Sequence, residues 1–275
     1  MTQLAGCVLR LQTISELQPD GTSELADHGR LGCLTLDTEK EEMAAEIRSR
    51  FDVFVAGATL SPWIIDSDQN QGSTNSTTGV KNAWLIAFFG NPRDEKGAEL
   101  QPRILSSLRK VVKCKPLAKP IRVFTQTHRL SKLQGPKRKH NYRMMKEVAI
   151  NQVSPVGVSI QLAFDSIPDE QFLATLNNAD LLVLPYMTPP YDTAGSGLII
   201  DGTLVGKAFV HSQGMAMDEF LNCGNAEAAA TPEAFGPMIV NMLQQIDKYA
   251  AGKAEAKARI LRGFDSAGVQ LRTLI

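Results

Sequence analysis

Gly195-Ser196-Gly197 stands between a short apolar run, Leu181 to Leu184, and a second apolar stretch whose Leu198, Ile199 and Leu204 fall at helical spacing. Residues in this order can build an anion site from backbone alone. The glycines let the chain approach a ligand closely, and the first turn of the helix behind them leaves N–H groups with no intrahelical acceptor. A phosphate is the favoured guest for such groups. Pro185 and the Pro189-Pro190 pair stop the strand and force a turn, so Ala179 to Ser212 reads as strand, turn, helix and second strand. An ordinary strand-to-helix loop with Ser196 as its N-cap fits the same spacing.

A second group with chemistry to offer lies upstream. The apolar run Trp84 to Phe89 ends at Gly90, a helix begins near Gly97, and Arg93 and Lys96 sit between them. Two cations there could meet an anion at the strand end. They also fit two solvated loop charges, which are common at surfaces.

Elements of alternating type must position these groups. Strands are predicted at Trp84 to Phe89, Ile121 to Thr125, Val156 to Leu162, Leu181 to Leu184 and Ala208 to His211, with a weaker one at Ala226 to Ala230. Helices are predicted at Ala98 to Val112, about Lys137 to Ile150, Pro168 to Asn178 and Ser196 to Val205, then a short one at Met215 to Leu221 and others from Pro232 onward. Such alternation means an α/β fold with a doubly wound parallel Rossmann-like sheet, whose ligand site lies at the C-terminal ends of the strands. Both glycine-bearing turns fall there. Ahead of this domain, Asp66 to Gly79 has no aliphatic residue and reads as a linker or a mobile loop. Before it, Gly32 to Leu36, Thr38 to Arg50 and Val53 to Val55 read as strand, amphipathic helix and strand, a partial α/β segment.

The order of features resembles the nucleotide-sugar-binding half of a GT-B fold retaining glycosyltransferase of the large group 1 family, which includes many sucrose, mannosyl and polysaccharide enzymes. The matching residues are Leu184-Pro185-Tyr186, Gly195-Ser196-Gly197, Asp201-Gly202, Gly206-Lys207 and Ala208 to Val210. The resemblance implies a donor diphosphate held by Arg93, Lys96, Gly195, Ser196 and Gly197. Lys96 matches by its Glu-Lys-Gly setting, whereas Arg93 is displaced, since Asn91 stands where the family's arginine usually follows the glycine. Asp201 falls on the glutamate that holds the nucleotide ribose, one methylene shorter. Thr193 falls on the family's first glutamate, with Asp192 beside it, so both are sugar-side candidates. The implied activity is transfer of a sugar from a nucleotide diphosphate donor with retention, without metal or cofactor, in polysaccharide biosynthesis.

The same resemblance divides the chain into residues 1–65 as the remnant of an acceptor-side α/β domain, 66–80 as a polar linker, and 81–275 as the nucleotide-sugar-binding Rossmann-like domain. A full acceptor domain needs well over ~100 residues, and only about eighty precede Trp84. The implied partners are a nucleotide sugar and a chain carrying an acceptor domain. The family draws a histidine from that other domain, and no motif carries His28, His128, His140 or His211 onto its role. The catalytic residue is therefore unassigned.

Composition sets the remaining bounds. With 275 residues and 43% apolar content the chain can bury a large core, and its 29 basic and 29 acidic residues balance. Cys7, Cys33, Cys114 and Cys223 have no metal-ligand spacing and read as reduced thiols of a cytoplasmic protein. Asp66-Ser67-Asp68 spells a metal-binding Asp-x-Asp but opens a patternless stretch instead of ending a strand. From Gln101 to Lys146 there are fourteen Lys or Arg and no Asp or Glu. These charges read either as solvated helix faces or as a peripheral docking surface at the inner membrane face. The second reading supports an alternative function, a non-catalytic Rossmann-like binding protein that docks to a membrane or a partner. No interleaved aromatic platform points to nucleic acid.

Overall fold

The computed structural model of the protein describes residues 31–35, 53–57, 82–90, 93–127, 135–153, 157–164, 167–189, 191–192 and 194–272. Strands β1 (Leu31–Thr35) and β2 (Val53–Gly57) pair in parallel with Leu31 opposite Val53. They overlap the two strands predicted ahead of the linker, β1 one residue earlier and β2 two residues longer. The helix predicted between them, the linker itself and Asp66-Ser67-Asp68 lie outside the described residues.

Strands β3 (Trp84–Phe88), β4 (Ile121–Thr127), β5 (Val158–Phe164), β6 (Leu181–Leu184), β7 (Ala208–Ser212) and β8 (Ala226–Ala229) form one all-parallel sheet in the order β5-β4-β3-β6-β7-β8. Between and after them run α1 (Gln101–Cys114), α2 (Gly135–Val153), α3 (Asp169–Asn178), α4 (Gly197–Leu204), α5 (Asp218–Leu221), α6 (Pro232–Gln244) and α7 (Ala250–Arg272). This is the doubly wound Rossmann-like α/β fold.

Period-two alternation explains why the sheet carries two cores. Leu181 and Val183 face one side, where Ile86, Val123 and Val210 pack against Ile104, Leu105 and Leu108 of α1, Met144 of α2 and Ile239 of α6. Leu182 and Leu184 face the other side, with Phe124 and Phe209, against Leu176 of α3, Ile199 and Ile200 of α4, Phe220 of α5 and Ile260 of α7. A strand covered on both faces has to be apolar throughout, which is why β6 reads Leu-Leu-Val-Leu. The chain changes sides through α3, so the strand order reverses between β3 and β6. That point is where a doubly wound sheet opens a crevice for ligands.

Boundaries depart from expectation where backbone geometry intervenes. β5 starts at Val158 instead of Val156, because Gly157 takes φ +75°. α1 starts at Gln101 instead of Ala98, because Gly97 at φ 71° separates two short 3-10 turns, Asp94–Lys96 and Ala98–Leu100. α5 starts at Asp218 instead of near Met215, because Met217 is left-handed at φ 73°. Among the described residues no helix is long and apolar enough to cross a membrane.

Helices α1 and α6 approach closely. A Cβ at Gly236 would lie 2.5 Å from the Ser107 Oγ and 2.6 Å from the Leu108 N. The contact is tied by Ser107 Oγ donating to the Glu233 carbonyl at 2.6 Å and by Arg103 bonding both Glu233 carboxylate oxygens at 3.0 and 3.1 Å. Gly to Ala inside a helix ordinarily gains roughly 0.5–1 kcal/mol, whereas overpacking of a tight contact costs about 1–3 kcal/mol. Gly236→Ala is therefore expected to lower stability in urea unfolding, and a rise would show that the two helices can part freely.

Candidate functional site

β3 and β6 are neighbours, and the loops after them meet at their C-terminal ends. Gly97 permits the meeting: a Cβ there would lie 1.8 Å from the Pro185 carbonyl oxygen. The Met187 N–H donates to the Glu95 carbonyl at 2.9 Å and locks one loop to the other. Lys96 is thereby laid over the Tyr186 ring, its Nζ 5.7 Å from the ring centroid. It also lies against Gly90, whose N–H is held by Gln126 Oε1 at 2.5 Å. Burial, and secondly the charge of Arg93, push the Lys96 pKa below the ordinary lysine value, with Glu95 opposing. Arg93 is exposed and pairs with Glu95 at 3.0 Å.

The second loop is stacked on itself. Tyr186 is buried with its ring 4.3 Å from that of Tyr191, and burial raises its pKa well above the usual tyrosine range. Ser196 Oγ donates to the Tyr186 hydroxyl at 3.4 Å. A third loop joins from β7, where the Ala216 N–H donates to the Tyr191 carbonyl at 2.6 Å.

At the head of α4, Ser196 occupies the N-cap position in extended conformation, but its hydroxyl makes no capping bond. Its N–H, one of the donors expected to face a phosphate, donates instead to Met217 Sδ at 2.9 Å. Gly195 is half-buried. Gly197 is exposed, and no atom lies within 4 Å of where its Cβ would be. Asp201 is four residues further along α4 and so on the same face as Gly197. Asp201 is half-buried, and its Oδ1 is out of contact with solvent. α4 sits close on the sheet here, since a Cβ at Gly202 would be 2.5 Å from Leu182 Cδ1 and 2.9 Å from Phe209 Cζ. Asp192 is half-buried in the turn after Tyr191, and Thr193 lies outside the described residues.

Arg93, Lys96 and Ser196 are thus brought together around Tyr186, with Gly195, Gly197 and Asp201 on the adjoining helix start. Tyr191, Gln126 and Met217 belong to the same cluster and were not singled out as site residues from sequence. Tyr191 had a signal in its position after the Pro-Pro turn, while Gln126 and Met217 had none, because both arrive from distant segments. His211 is buried at the end of β7, its Nδ1 2.9 Å from the Ser212 carbonyl, and burial lowers its pKa from the ordinary histidine value. His140 is buried on α2, and His28 and His128 lie outside the described residues. Among the described residues no group of three or more His, Cys, Asp or Glu is placed to hold a metal.

No family model and no curated protein matches this sequence. Solved structures do match. An α,α-trehalose-phosphate synthase (UDP-forming) from Burkholderia vietnamiensis aligns with TM-score 0.60 and 12% identity over 94% of this chain and 65% of its own. Sucrose-phosphate synthase from Thermosynechococcus elongatus aligns with TM-score 0.57 and 12% identity over 88% and 57%. HepE from Anabaena, in complex with UDP and glucose, aligns with TM-score 0.54 and 14% identity over 88% and 62%. These neighbours are GT-B glycosyltransferases. The fold of the chain is GT-B. Across these three structures the chain spans 57% to 65% of the neighbour's length.

In this GT-B sheet the clamp between the two loops is open to direct test. Gly97→Ala adds both a left-handed strain at φ +71° and a clash with Pro185 O, whereas Gly206→Ala adds only the strain, at φ +68° with nothing within 4 Å. The control is expected to lose roughly 1–2 kcal/mol, the left-handed penalty of an L-residue, and Gly97→Ala distinctly more in thermal or urea unfolding. Equal losses would mean that the loops are not clamped at this point.

Proposed function

We propose that the chain binds a nucleotide diphosphate sugar at the ends of β3 and β6 and forms the donor side of a glycosyltransferase that works with retention in polysaccharide synthesis. One observation carries the reading: the cations Arg93 and Lys96 converge with the α4 N-terminus at the point where strand order reverses. Its neighbours support it, since HepE holds UDP and glucose and the Burkholderia enzyme is UDP-forming. A matched trehalose-6-phosphate synthase is described in terms of glycosyl transfer with retention.

In this reading Lys96 and Arg93 take the diphosphate charge as it develops on the leaving group, and the N–H groups of Gly195 to Gly197 supply neutral donors. The Ser196 N–H becomes available once Met217 Sδ, a weak acceptor, withdraws. Asp201 accepts bonds from the ribose diol, and Asp192 with Thr193 faces the sugar. Transfer further needs an acceptor hydroxyl held against the anomeric carbon, a positioning effect that can reach ~7–11 kcal/mol. That hydroxyl is positioned by an acceptor domain on a partner chain.

Calorimetry separates these roles. Lys96→Ala is expected to weaken UDP or GDP binding by the ~1.5–3 kcal/mol of a charged hydrogen bond with unchanged melting temperature; unchanged affinity would remove the assignment. An anion binds the ammonium form of Lys96. Since burial holds its pKa below 10.5, affinity should fall as pH rises through that lowered value, and Lys96→Arg should abolish the fall. Asp201→Asn should lose more affinity for UDP than for inorganic pyrophosphate, which has no ribose. A loss shared equally by both ligands would place Asp201 elsewhere in the mechanism.

A further inference from the structure

Helix α2 presents an unusual outer face. Lys139, Tyr142, Met145, Lys146 and Ala149 are all exposed and fall at i, i+3, i+6, i+7 and i+10, which makes one stripe. Tyr142 is 71% and Met145 51% exposed. On the inner side the same helix buries His140 at 1% and Asn141 at 2%, alongside Met144. Large apolar groups therefore face out while polar ones are packed within, the reverse of a helix shaped only by its own core.

Charge on this helix is sorted as well. Its one carboxylate, Glu147, is turned to α1 and pairs with Arg109 at 2.7 Å, where both side chains are largely buried. Arg143 is taken by Glu99 at 2.6 Å. Among the residues whose side chains are described, the ionised groups on the stripe are Lys139 and Lys146, and both flank Tyr142 and Met145. Lysine stems lie along apolar surface with their heads in water, and tyrosine sits well where an apolar layer meets a polar one. A single ridge of five residues offers little shape complementarity to a protein, whose stable interfaces bury about 800 Å² per partner. A bilayer requires none.

We propose that this stripe of α2 is a docking surface for an anionic lipid bilayer, with Tyr142 and Met145 at the headgroup boundary and Lys139 and Lys146 on lipid phosphates. The proposal is independent of what the strand-end site binds. Its test is flotation of the whole chain with vesicles of phosphatidylcholine, with and without phosphatidylglycerol. Binding is expected only to the mixed vesicles and should weaken with added salt. Lys139→Glu with Lys146→Glu should reduce binding at least about tenfold, given a lysine contribution that is large near an anionic surface. Tyr142→Ser with Met145→Ser should also reduce it, and all these variants should melt with the parent. In Tyr142→Trp, indole emission should move to the blue on mixing with the anionic vesicles and not with the neutral ones. Absence of flotation at low salt, or equal flotation of parent and both double variants, would overturn the proposal. So would self-association of the parent that the same variants abolish, which would make a second copy the occupant.

Discussion

A Cβ at Gly97 would sit 1.8 Å from the Pro185 carbonyl oxygen, so the loop after β3 can rest on the loop after β6 only because residue 97 has no side chain. Everything at the strand ends depends on that approach. It allows the Met187 N–H to reach the Glu95 carbonyl, it lays Lys96 over Tyr186, and it places a cation beside the start of α4. The clamp joins the two strands between which the sheet order reverses, so the geometry of the crevice follows from one backbone contact. Lys96 is held there partly out of water, with an exposed Arg93 for a neighbour and Glu95 for compensation.

Much of the fold was legible in the sequence because a sheet covered on both faces needs continuous apolar strands, and runs such as Leu181 to Leu184 have few other readings. Helices were legible wherever apolar spacing was plain, as in α1 with Ile104, Leu105, Leu108 and Val112. The errors were at boundaries; three lie beside a residue with positive φ, Gly97, Gly157 or Met217, while β4 runs on to Thr127 and α2 spans Gly135–Val153, both longer than expected. Met217 gave no warning, since a methionine in the left-handed region is not a composition signal. The site was legible in part. Arg93, Lys96 and the glycine turn could be placed at strand ends from their neighbours, but contacts between distant segments could not. The sulfur of Met217 on the Ser196 N–H comes from 21 residues away, and Gln126 reaches Gly90 across 36.

The basic segment shows how a count of charges differs from a field. Of its fourteen cations, Arg103, Arg109 and Arg143 are each bound by a carboxylate from outside it, Glu233, Glu147 and Glu99. The exposed pairs, Arg103–Glu233 and Arg143–Glu99, add little stability, at most ~1 kcal/mol each. Their effect is on where charge remains, which among the described residues is on lysines such as Lys110 and Lys113 and on the exposed Arg122. Arg103 makes the fork-shaped carboxylate contact that suits an arginine, through Nε and Nη2, whereas Arg109 and Arg143 each bond through one nitrogen.

The tie between the three loops has a consequence for the entropy of binding. Glu95, Met187, Tyr191 and Ala216 exchange backbone hydrogen bonds, so the segments after β3, β6 and β7 are already ordered with respect to one another. A ligand arriving at this surface meets peptide groups in place and has little loop freedom to extinguish, a cost that otherwise runs to about 0.5–1.5 kcal/mol for each immobilised flexible side chain. Any ligand bound there would therefore draw on side-chain adjustment more than on loop ordering.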